Sequence, residues 1–137
     1  MIVAHSIGEL ELPRHGVVGL VPTMGALHDG HLALLRAGRA DSDVLVASLF
    51  VNAAQFGDAA DLAAYPRDFG RDAAMFEANG VDVLFAPSHE EMYPPGFATW
   101  VEPEGAALGL EGDHRPGHFR GVASVCLKLF NIVRPEI

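Results

Sequence analysis

Three short, largely apolar runs constrain this chain most, the first of them unbroken: "VVGLV" (17–21), "VLVASLFV" (44–51) and "VDVLFAP" (81–87). A strand with one wet face alternates apolar and polar residues, so an unbroken run must be covered on both faces, as parallel strands between helices are. The intervening segments change period. "GHLALLRAGRA" sets Leu32, Leu35 and Arg39 at helical spacing, and "DFGRDAAMFEANG" carries Phe69, Ala73, Phe76 and Ala78 on a helix that Gly80 ends. Strands alternating with helices of this length predict an α/β fold: a parallel sheet with helices on both faces and right-handed crossovers. Ligands on such sheets bind beyond the carboxyl ends of the strands.

After Pro87 the rhythm weakens. "SHEEMYPPGF" reads as a short helix and turn, "ATWVEP" as a short strand, "EGAALGLEGDHRPGHFRG" as irregular, and "VASVCLKLFNIV" as a final helix stopped by Pro135. The last residues, "RPEI", stand where a further strand follows if the sheet continues. Repeats, low-complexity tracts and linkers are absent. With 137 residues, half of them hydrophobic, the chain can bury about two thirds of its unfolded surface, so residues 1–137 are expected to form one domain.

Charge and composition exclude several classes of function. The net charge of -9, from 18 acids against 9 bases, gives no footprint for a nucleic-acid backbone. No apolar run has membrane-spanning length, and "MIVAHSIGELEL" holds acids where a secretion signal carries bases, so a cytoplasmic protein that avoids membranes is expected. The single cysteine, Cys126, lies within "VASVCLKLF", which excludes an internal disulfide and predicts a packed, buried thiol.

The stretch that carries chemistry is "PTMGALHDGH" (22–31), between the "VVGLV" strand and the first long helix. Backbone amides and the helix dipole favour an anion there, and a phosphate is the natural one. Neither a Walker loop nor a dinucleotide fingerprint occurs. Gly25 and Gly30 allow close backbone approach, while His28 and His31, three apart, can turn toward one ligand and donate hydrogen bonds to phosphate oxygens. The competing reading is a turn with solvated histidines, or a fragment of a metal site. His114 and His118, beside Glu111 and Asp113, have the residue types of a metal site, but the glycine-rich "EGDHRPGHFRG", with Arg115 and Arg120, better suits closure over an anion. No metal site is expected. "HEEMY" departs from the zinc-protease H-E-x-x-H at Tyr93.

Six blocks, "VPTMGALHDGH", "SLFVNAAQFG", "DLAAYPRD", "FAPSHEEMYPPGF", "LEGDHRPGHFRGV" and "KLFNIVRP", resemble in order and spacing the first half of the pantoate-beta-alanine ligases. The resemblance covers about residues 17–135. It implies a Rossmann-like fold of the H-I-G-H nucleotidyl transferase type, here the N-terminal nucleotide-binding domain without the family's C-terminal domain. The implied activity joins pantoate to beta-alanine with ATP and magnesium through a pantoyl adenylate, releasing AMP and pyrophosphate.

The resemblance further implies that Pro22, Met24, Gly25, Ala26, Leu27, His28, Asp29, Gly30 and His31 belong to the ATP site, with His31 as proton donor and His28 on the phosphates. Gln55 would hydrogen-bond pantoate and later lie near the incoming amine, and Asn52, at the ligand edge of the sheet, would join it in the substrate site. Val122 and Val125 would wall the pantoate methyls, although helix core explains them equally well, and Tyr65 would belong to a flap or simply pack. A homodimer formed through this half is also implied. The departures are Ala53 and Ala54 where the family has a proline and a small or apolar residue, a short segment before the first strand, and no G-x-K-D-x-x-Q or S-S-R-N segment. Lys128 matches a helix lysine. Weak or no turnover by this chain alone is therefore expected. Two other readings stay open: a different H-x-G-H nucleotidyl transferase, or a non-catalytic nucleotide-binding or assembly module.

Overall fold

The computed structural model describes residues 1–12 and 15–137. Four parallel strands, β1 (Ile2–Ala4), β2 (Val18–Thr23), β3 (Val44–Leu49) and β4 (Val83–Phe85), form one sheet in the order β1-β4-β3-β2. Six helices accompany them: α1 (Asp29–Asp41), α2 (Ala59–Ala64), α3 (Phe69–Ala78), α4 (His89–Met92), α5 (Glu111–His114) and α6 (His118–Val133). The chain thus takes the expected α/β, Rossmann-like architecture.

The apolar runs are explained by which face each residue serves. Val21, Leu45, Ala47 and Leu84 pack against Leu35 of α1 and Phe76 of α3 on one side. Val18, Val46 and Val83 meet Val133 of α6 on the other, where Phe50 and Phe85 meet Val125 and Leu129. Successive residues of a strand point to opposite faces, and both faces here are dry.

Helix starts follow local capping. Asp58, Asp68 and Ser88 each accept a backbone N–H from the first turn of α2, α3 and α4. The final helix ends where Arg134 adopts a left-handed conformation ahead of Pro135.

Two expectations are corrected, one strand is new, and one segment is described only in part. "ATWVEP" takes no regular secondary structure and pairs with no strand; Val101 N–H donates instead to the Ser124 hydroxyl on α6 (3.0 Å). The edge strand β1 has no counterpart in the sequence reading, because three residues carry no readable period. Part of the segment expected to be too short for a helix, Pro13 and Arg14, lies outside the described residues, and a 3-10 turn at Ile7–Glu9 precedes it. The final helix begins at His118, a turn earlier than read, because Gly117 supplies the left-handed residue before it. Beyond α6, Glu136 N–H donates to Val18 O (2.9 Å) and Leu20 N–H to Ile137 O (2.8 Å), so the last two residues lie along the free edge of β2.

Candidate active site

The loop between β2 and α1 is built around a carboxylate that sequence reasoning missed. Asp72 of α3, buried at 1% exposure, accepts from Ala26 N–H (Oδ2, 2.8 Å) and Leu27 N–H (Oδ1, 3.1 Å). Thr23 Oγ1 accepts from Gly25 N–H (3.2 Å) and donates to Ser48 O (2.8 Å). Gly25 is required at its position: its φ is +79°, and a Cβ would lie 2.7 Å from both Asp72 Oδ2 and Leu49 Cδ1. Of the amides expected to face a phosphate, those of Gly25, Ala26, Leu27, His28 and Gly30 have acceptors within the protein. Leu27, expected at a nucleotide site, points its side chain into the core instead.

The side-chain donors at this helix start are the imidazoles. His28 caps α1: its Nδ1 accepts from Gly30 N–H (3.1 Å), while His31 Nδ1 accepts from His28 N–H at a longer 3.4 Å. A backbone N–H can only donate, so each Nδ1 holds a lone pair and each neutral ring carries its proton on Nε2. The two rings lie 4.2 Å apart, close enough for both Nε2–H groups to meet one ligand. Burial, then the neighbouring His28, hold His31 below its ordinary pKa, with Asp72 opposing, so the ring stays neutral at pH 7.

A cavity of about 240 Å³ opens beside these rings, beyond the carboxyl ends of β2 and β3. Pro22, Met24 and His31 form one wall, Asn52 and Gln55 a second, and Val122 and Val125 of α6 a third. Seven residues singled out from the sequence thus meet at one space, joined by Tyr65. Gly25, Ala26, His28, Asp29 and Gly30 build the adjoining loop and helix start without lining it. Sequence reasoning missed Thr23, Phe50 and Leu129 in the wall, which read there as ordinary strand and helix core. Cys126 is corrected too: its half-buried thiol lines the cavity, and burial pushes its pKa up, leaving it protonated.

The Gln55 side of the cavity is anchored by close backbone approach. At Gly121 a Cβ would overlap the Ala54 carbonyl and lie 2.6 Å from Gln55 N, so only glycine lets α6 press onto the turn Ala53–Gln55. His118 Nδ1 lies 2.9 Å from Gln55 O and must be the donor there. Asn52, 1% exposed, spends its whole amide internally: Nδ2 donates to Gln55 Oε1 (3.0 Å) and Gly121 O (3.1 Å), and Oδ1 accepts from Tyr93 OH (2.9 Å). Asn52 thus holds the wall rather than offering a free polar group. Tyr93 is buried, and its phenol is pushed up to about 12, so the hydroxyl remains a donor.

The "RPGHFRG" arginines differ from expectation. Arg120 pairs with Glu102 (3.1 Å) and lies over Trp100, while Arg115 borders a second opening shared with Met24, Gln55 and Tyr65. Only Arg115 is near the cavity.

A parallel sheet with its cavity at the carboxyl ends, and two histidines at the adjoining helix N-terminus, define a Rossmann-like fold of the nucleotidyl transferase type. The model of the family Pantoate-beta-alanine ligase matches residues 4–137, and the chain belongs to that family. It is 56% identical to the pantothenate synthetase of Roseiflexus castenholzii over 99% of this chain and 50% of that protein. Pantothenate synthetase from Thermus thermophilus superposes with a TM-score of 0.94 at 54% identity, over 99% of this chain and 50% of that one. The Francisella tularensis pantoate-beta-alanine ligase, complexed with beta-gamma ATP and beta-alanine, also gives a TM-score of 0.94, at 40% identity over 98% of this chain and 54% of that one. The chain spans about half the length of the curated relatives it matches.

Proposed function

We propose that residues 1–137 are the nucleotide- and pantoate-binding domain of an ATP-dependent ligase that joins pantoate to beta-alanine. The single observation that carries this reading is the convergence of His31, Met24, Gln55, Val122 and Val125 on one cavity beside the His28–His31 pair. The apolar wall suits pantoate's methyl groups, and the amide suits its hydroxyl and carboxylate.

In this reading a pantoate carboxylate oxygen attacks the α-phosphorus of ATP, the bond to the β-phosphate breaks, and pyrophosphate leaves. Charge grows on the phosphoryl oxygens during that step, and the Nε2–H groups of His31 and His28 stabilise it by donating. The beta-alanine amine then attacks the pantoyl carbonyl, and AMP departs. Gly25 keeps the loop close to the nucleotide, while Pro22 and Met24 border it and Ala26 to Gly30 shape it. The nucleotide phosphates carry the magnesium in this reading; among the described residues no three His, Cys, Asp or Glu side chains converge to hold an ion.

The same reading carries a cytoplasmic location and a homodimer. Among the described residues no helix is long and apolar enough to cross a membrane. Exposed Leu127 and Phe130 on α6 supply apolar surface for self-association. Sedimentation velocity tests the dimer, for which one species of twice the chain mass is expected.

The functional test is titration of Mg-ATP into the chain and its His31→Ala and His28→Ala variants, with AMP formation followed in the presence and absence of pantoate. Both variants are expected to weaken ATP binding about tenfold or more. Any AMP formed is expected to require pantoate. Nucleotide binding indifferent to both histidines, or AMP formation with unrelated acids, contradicts the reading.

A further inference from the structure

We propose that Tyr93 is a positioning residue that, through Asn52, turns the Gln55 carboxamide so that its NH2 group and not its carbonyl faces the cavity. The inference rests on reading that cavity as the pantoate site. Its physical basis is a one-way chain of hydrogen bonds. The Gly121 carbonyl can only accept, so it draws Asn52 Nδ2 toward it (3.1 Å) and turns Oδ1 toward Tyr93 OH (2.9 Å). The same Nδ2 reaches Gln55 Oε1 (3.0 Å). With Oε1 turned toward Asn52, the NH2 group is the end of the Gln55 amide left to face a ligand. Its backbone is fixed as well, by the N–H bond to Asn52 O (3.2 Å) and by the His118 ring on its carbonyl.

The ligand atom that meets this NH2 group is an acceptor, such as a carboxylate or hydroxyl oxygen. Tyr93 is suited to this task because its ring is locked. It stacks on Trp100 (5.6 Å, 19° between planes), meets Phe97 edge-on (5.1 Å) and lies under the Lys128 ammonium (5.5 Å). Removing the hydroxyl leaves Asn52 Oδ1 buried without a donor. Rotating the amide to relieve it sets Oδ1 against the Gly121 carbonyl, so neither orientation is then satisfied and Gln55 loses its fixed end.

The test is a double-mutant cycle on the 137-residue chain with pantoate as the titrant. Tyr93→Phe is expected to weaken pantoate binding about tenfold in the wild-type background and to have no effect in a Gln55→Ala background. A merely structural role weakens binding equally in both, and that result overturns the proposal. A second measurement needs no ligand: in ¹⁵N spectra, Tyr93→Phe should shift and broaden the Gln55 side-chain amide pair while the melting curve stays cooperative. An unchanged Gln55 pair also overturns the proposal. If the folded wild type binds no pantoate, the reading of the cavity fails, and the amide spectra still decide whether Tyr93 positions Gln55.

Discussion

Asp72 shows how one side chain can set a site it does not line. Its carboxylate engages the N–H groups of Ala26 and Leu27 from a helix more than forty residues away in sequence. Asp72→Ala leaves two N–H groups without acceptors and should cost about 3 kcal/mol of stability, read by chemical denaturation. Asp72→Asn keeps one acceptor and should cost less. His31 supplies a pH signature. Because burial depresses its pKa in the folded state, the unfolded chain takes up a proton first as pH falls through the ordinary value of 6.5. Stability tied to His31 is thus present above that pH and declines below it. Denaturation from about pH 7 to about pH 5 should show a smaller loss in His31→Ala than in wild type. The histidine pair was legible in the sequence from its place between strand and helix. Asp72 was not, since an acid on an otherwise apolar helix face reads as solvated until the loop it meets is seen.

At the scale of elements, the cavity exists because α6 presses onto the turn before α2. Gly121→Ala forces them apart at Ala54 and Gln55, and overpacking of this kind costs about 2 kcal/mol. Pantoate binding should weaken with it while Mg-ATP binding changes little, a split that parallel titrations would read. The three short apolar runs and the helices between them could be read from period alone, because burial on both faces leaves a plain mark. The "ATWVEP" segment misled for a related reason. Its residues favour extension, but the hydrogen bond that satisfies Val101 comes from a helix serine, which no local pattern announces.

Over the whole molecule, the parallel sheet and a cavity at its carboxyl ends follow from the strand–helix alternation, whereas the place of β1 beside β4 does not. What the sequence left obscure was the division of labour: loop amides engaged within the protein, imidazoles left as donors, and Asn52 occupied in holding Gln55. The most direct measurement is a calorimetric titration of pantoate into the folded chain, alone and with Mg-ATP present, beside Gln55→Ala. The account predicts one site per chain in both conditions, weakened at least about tenfold in the variant with its circular dichroism unchanged. No binding to the folded wild type, or binding that Gln55→Ala leaves intact, would contradict it.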